Sequence, residues 1–146
     1  MEICRFVIPG IAQAQGRPRA GKTFTGRTVV YDPSKSRDYK QYVRIVASQN
    51  RPEKPYEGQI KMQIDVYRPI PKSMPKYKQK LAVEGQLRPV TKPDIDNYFK
   101  SVSDALNGVI YKDDSQIIEI KASKFYSDAP RVEVVVYELK VPKRSN

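Results

Sequence analysis

The chain has 146 residues, a size that suits one domain and allows about two-thirds of the unfolded surface to be buried. Its 27 lysines and arginines against 16 aspartates and glutamates leave a net charge of +11, which points to a polyanionic partner, nucleic acid being the commonest. With no histidine and a single cysteine, Cys4, the chain acting alone cannot build Ser-His-Asp or Cys-His nucleophiles, histidine-ligated metals, a zinc cluster or an internal disulfide. Carboxylate, lysine, arginine and tyrosine chemistry remains. The N-terminal apolar run from Ile3 to Ile11 is short and interrupted by Cys4-Arg5 and Pro9-Gly10, so neither a secretory leader nor a membrane span can be drawn. A soluble, cytoplasmic protein without membrane attachment is expected.

Glu2 to Ile8 reads as a first strand, ended by Pro9-Gly10. The loop from Gln13 to Lys22 then carries Arg17, Arg19 and Lys22. Gly16 to Gly21 followed by Lys22-Thr23 has the spacing of a P-loop, but Pro18-Arg19 interrupts it. Phe24 to Tyr31 continues as a strand or hairpin, so no helix N-terminus is offered to a phosphate there. These cations, with Arg27, suit contacts to a nucleic-acid backbone better. Asp32-Pro33-Ser34 opens a helix to about Gln49, striped by Tyr39, Tyr42, Val43, Val46 and Ala47, with Lys35, Arg37, Lys40 and Arg44 on its other face. Gln59 to Arg68 alternates as a half-buried strand does.

Residues 69–92 differ in kind. Pro69, Pro71, Pro75 and Pro89 punctuate them, the cations Lys72, Lys76, Lys78, Lys80, Arg88 and Lys92 dominate, and Glu84 is the single acid. A flexible basic arm without regular structure, ordering over a substrate backbone, is expected. From Asn97 to Val109 the apolar residues return at three- and four-residue steps, the spacing of a helix face, with Asp94 or Asp96 at the N-cap. Ile117 to Phe125 and Arg131 to Val141 both alternate and read as a hairpin. The chain is therefore expected to form one α+β domain, residues 1–146, with a mixed or largely antiparallel sheet, helices packed on it, the order ββαβαββ and hairpins at both ends.

Acids gather where the surroundings are basic. Asp94, Asp96, Asp113 and Asp114 lie within a short span that also holds Lys100. A strand returning beside the helix N-terminus brings Asp113 and Asp114 toward Asp94 and Asp96, and such a cluster needs a cation. The plainer alternative makes the acids caps and turn residues, and pairs Lys100 with Asp104 on the surface.

The run Lys92-Pro93-Asp94-Ile95-Asp96-Asn97, Lys100, Asp104-Ala105-Leu106 and Tyr111-Lys112-Asp113-Asp114-Ser115-Gln116 resembles the RusA family of Holliday-junction resolvases. The resemblance implies a magnesium-dependent endonuclease, with Mn²⁺ as a substitute ion, acting as a homodimer on four-way DNA junctions in recombination and repair. It places the catalytic and metal-holding carboxylates on Asp94, Asp96 and Asp114, with Asp113 as a further candidate, and the catalytic lysine on Lys100. DNA contacts are expected from Arg17, Arg19, Lys22, Arg27, Lys72, Lys76, Lys78, Lys80, Arg88 and Lys92. One ion or two is left open, as are two other readings: a nuclease for flaps or forks, and a non-catalytic basic DNA-binding module.

Overall fold

The computed structural model describes residues 1–15, 19–22, 28–31 and 34–144. Arg17, Arg27 and the expected helix opening at Asp32-Pro33 lie outside the described residues, and for Arg19 and Lys22 only the backbone is described. The elements in chain order are β1 (Glu2–Pro9), β2 (Arg19–Lys22), β3 (Thr28–Tyr31), α1 (Ser34–Ser48), β4 (Ile60–Pro69), α2 (Lys76–Val83), α3 (Ile95–Ala105), β5 (Ile117–Ser127) and β6 (Arg131–Glu138). An α+β domain results, with a mixed four-stranded sheet in the order β1-β6-β4-β5 and a separate β2-β3 ribbon.

Strand β4 is central because its alternation is the cleanest. Ile60, Met62, Ile64 and Val66 are fully buried on one face, while Lys61, Gln63, Asp65 and Tyr67 occupy the other. Against the buried face lie Tyr39, Val43 and Ala47 of α1 and Tyr98, Val102 and Ala105 of α3, with Leu106, Ile110 and Tyr111 completing the core. Arg44 of α1 donates to the carbonyls of Ala105 (3.1 Å) and Asn107 (2.9 Å), so one side chain satisfies groups that the end of α3 leaves unpaired.

Both hairpin expectations are corrected. β5 and β6 are consecutive but not paired: β4 lies between them, parallel to β5 and antiparallel to β6. The reason is apolarity. β6 buries Val132, Val134, Val135 and Val136 and belongs inside the sheet, whereas Ile118 to Lys121 of β5 are exposed and tolerate its edge. Skipping one strand needs roughly 10 Å, which the link between Ser127 and Arg131 can span. At the other end β1 pairs with β6, and the hairpin that does form, β2 with β3, stands outside the main sheet.

The arm is also more ordered than expected, since α2 occupies its middle. Pro75 stands at the N-cap and Lys-Tyr-Lys-Gln-Lys-Leu-Ala-Val follows, a run free of glycine and proline. Gly85, at φ +79°, closes the helix in a left-handed conformation, and Gln86 N–H donates to the Leu81 carbonyl at 2.9 Å.

Candidate functional site

Asp94 and Asp96 open α3. Asp94 holds the N-cap position with extended backbone (φ −69°, ψ 150°), yet its carboxylate caps nothing. Asp96 lies in the first turn, where the helix dipole favours an anion. Both are exposed. The segment leading into them is tied down by two cations that sequence inspection missed. Arg68 donates to the Lys92 carbonyl (3.0 Å) and Thr91 Oγ1 (3.3 Å); Lys124 Nζ donates to the carbonyls of Thr91 (3.0 Å) and Pro93 (3.2 Å). On the other side Gln15 N–H donates to the Asn97 carbonyl at 3.0 Å, so the basic N-terminal loop sets out from the first turn of α3.

Further along the same helix, Lys100 stands between two acids. Its Nζ is 3.1 Å from Asp104 Oδ1 and 3.8 Å from Asp114 Oδ2, and Lys40 reaches Asp104 from α1 at 3.5 Å. A hydrogen bond to Asp104 and its charge hold the Lys100 ammonium above the ordinary lysine range. Asp114 is pushed up from the usual carboxylate range, first by loss of solvent and then by a hydrogen bond with Asp104, while Lys100 pulls the other way.

The turn that delivers Asp114 is built from side-chain contacts. Tyr111 is fully buried and its hydroxyl donates to the Ser103 carbonyl at 2.6 Å, clamping the turn onto α3. Asp113 accepts from Ser115 N–H at 3.0 Å, and Gln116 Oε1 accepts from Asp113 N–H at 2.9 Å, a reciprocal capping box around residues 114–116. Ser115 holds Asp113 below the usual carboxylate range. Gln116 Nε2 also donates to the carbonyls of Tyr56 (2.9 Å) and Gly58 (3.0 Å).

Asp96, Lys100 and Asp104 follow one another at four-residue steps, each rising about 6 Å along the axis. The structure brings Asp114 to Lys100 and Asp104, toward the far end of α3. Asp94 and Asp96 remain at the near end, and among the described residues no three acids or cysteines lie close enough to share one metal ion. Asp104, read from the sequence only as a surface partner of Lys100 and as part of the family run, was not placed among the site acids, and its pairing with Lys100 is present. Of the arm cations, Lys72, Lys76 and Lys80 line a cleft of about 790 Å³ against Pro69, Ser127 and Pro130, and Lys78 and Lys92 are exposed. Arg88 is engaged within the protein. Its Nε donates to the Lys124 carbonyl at 2.7 Å and its guanidinium lies 4.2 Å over Phe125, which stacks on Tyr67, itself covered by Arg131 at 3.9 Å.

These features define a class: a strongly basic α+β protein that presents carboxylates and a lysine along one helix of a mixed sheet. The family model described as Endodeoxyribonuclease RusA matches residues 9–137, and the chain belongs to that endodeoxyribonuclease family. It is also similar to the Uncharacterized protein YqaN of Bacillus subtilis (strain 168), 52% identical over 141 residues that make up 95% of this chain and 99% of that one. No helix among the described residues is long and apolar enough to cross a membrane.

Proposed function

We propose that the protein is a cytoplasmic, Mg²⁺-dependent endodeoxyribonuclease that resolves four-way DNA junctions in recombination and repair, cutting paired strands as a homodimer. The observation that carries this reading is the contact of Lys100 with the carboxylates of Asp104 and Asp114 inside a chain of net charge +11. Its donor chemistry fits a hard divalent cation: oxygen ligands, no sulfur or imidazole, and an anionic pair that accommodates positive charge. Asp94, Asp96 and Asp114 stand apart in this structure and would have to draw together to hold one Mg²⁺, and Asp113, engaged in its capping box, serves chiefly to aim Asp114. Bound there, the ion supplies a Lewis acid for the phosphoryl oxygens and a water acidified toward neutral pH.

The chain's own residues supply the remainder. Lys100 is 57% exposed at its side chain and is kept protonated by Asp104, so it can meet a scissile phosphate as a cation and relieve the charge that develops in the transition state. Asp104 positions that ammonium without touching the DNA. The lysines of the α2 cleft and the cations that follow Gln15 in the sequence contact the backbone, and the arm at 69–92 closes over it. Two copies related by a two-fold axis match the near two-fold symmetry of a four-way junction.

Cleavage of labelled four-way, three-way and linear duplex DNA, with and without Mg²⁺, tests this with the Asp96→Asn variant beside the wild type. That variant is expected to lose cutting while binding the junction as tightly or more tightly, since a negative charge leaves the DNA-facing surface. Undiminished cutting by Asp96→Asn refutes the catalytic assignment, and equal cutting of linear duplex refutes the junction assignment.

A further inference from the structure

Strand β5 pairs with β4 on one side, and among the described residues no strand pairs with its other side. The uncovered edge has definite ends. It begins at Ile117, where the turn at Asp114–Gln116 finishes, and stops before Lys124, whose carbonyl already accepts from Arg88. Ile117 to Ser123 are left, with a register irregularity at Ile118 and regular pairing to β4 from Glu119 onward. Ile118 and Ile120 are 59% and 54% exposed, although Ile120 lies opposite the fully buried Met62 and so on the core-bearing face. Glu119 and Lys121 lie on the opposite face, exposed and in no ion pair among the described residues.

We propose that this edge is the docking surface for a second copy of the chain, paired antiparallel about a two-fold axis at Ile120. The proposal rests on the homodimeric reading above and locates its interface. An antiparallel self-pairing about that axis sets Glu119 opposite the partner's Lys121. Symmetry repeats the acid–base pair, so two opposite-charge pairs flank the axis on one face while Ile120 and its copy meet on the apolar face. Moving the axis one residue in either direction sets Glu119 against its own copy, or Lys121 against its own copy. Charge thus selects the register centred on Ile120. An exposed edge with two isoleucines is otherwise an aggregation hazard, and this pairing removes it. Because the axis stands perpendicular to the sheet, α3 and its acids open to the same side in both copies.

Sedimentation equilibrium without DNA or metal tests the register. Glu119→Lys and Lys121→Glu are both on an exposed face, and circular dichroism checks that each variant folds. Each alone opposes like charges twice per dimer and is expected to weaken self-association about tenfold or more. Mixed in equal amounts, the two variants oppose unlike charges again and are expected to recover the dimer at close to wild-type affinity. A monomeric wild type, single variants that associate like the wild type, or a mixture that stays dissociated overturns the proposal. The nuclease reading fails separately: a dimer that obeys these exchanges but cuts no DNA keeps its interface and loses its proposed chemistry.

Discussion

Replacing Tyr111 with phenylalanine removes one oxygen and tests how Asp114 is aimed. The ring stays in a site with no solvent exposure, and the hydroxyl that is lost donates to the Ser103 carbonyl at 2.6 Å. Burial also pushes that phenol up and keeps it protonated, so the donor is present throughout the ordinary pH range. A buried hydrogen bond of this kind contributes about 1 kcal/mol net. Ser103 keeps a second donor, the Leu106 amide at 3.3 Å, so the loss should stay near that figure without the larger penalty of an orphaned carbonyl. At a urea dependence of roughly 2 kcal/mol per molar, the midpoint falls by about 0.5 M. With no tryptophan and ten tyrosines, far-ultraviolet circular dichroism is the cleaner probe. Junction cleavage should fall several-fold at unchanged junction affinity, because the turn carrying Asp114 is loosened from α3. An unchanged midpoint together with unchanged cleavage would remove the clamp from the account of the site.

Cys4 provides a pH-dependent check on the core: burial, assisted by Glu2, pushes its thiol up to about 11 from 9.0. At pH 8 the native chain should alkylate about a hundredfold more slowly than the chain in guanidinium, and equal rates would mean that β1 is not seated. The sign follows from the raised value, since folding suppresses the thiolate: this contribution to stability is complete below pH 9 and lost as pH rises through about 11. Arg88→Ala, which removes the guanidinium over Phe125 and the bond to the Lys124 carbonyl, should lower stability by about 0.5–1 kcal/mol and speed amide exchange across residues 72–90. In the wild type a four-way junction should slow that exchange, and equal protection with and without DNA would contradict closure of the arm. Junction affinity should fall steeply and linearly in log–log form with salt, and a flat response would point away from phosphate contacts.

Local patterns in the chain carried the elements whose character is local. The two-residue alternation of Ile60, Met62, Ile64 and Val66 and the helical spacing of Tyr98, Val102 and Ala105 are visible in the residues because each repeats against a single buried face. Pairing between β5 and β6 was not legible that way: alternation states that a strand is half-buried and leaves its neighbour unspecified, and the greater apolarity of β6 decided which strand went inside. Helix α2 was hidden by the prolines around it, although the run after Pro75 is free of them. At the site, Asp94, Asp96, Lys100 and Asp114 stood out by their concentration in a basic chain. Their placement did not, because it depends on Tyr111 and Gln116 fixing the turn. A helix longer by one turn would have carried Asp114 elsewhere with little change in the local pattern.

The sheet joins the first strand to the last, Glu2 facing Tyr137 and Pro9 facing Arg131, and it slots that last strand between β1 and β4. The interior cannot close until β6 has been made and placed between β1 and β4. Until β6 emerges, the apolar side of β4 has no companion on that flank, and α1 and α3 have only a partial floor to rest on. Completing the interior therefore depends on contacts between segments far apart in sequence, an arrangement of high contact order that is expected to slow folding.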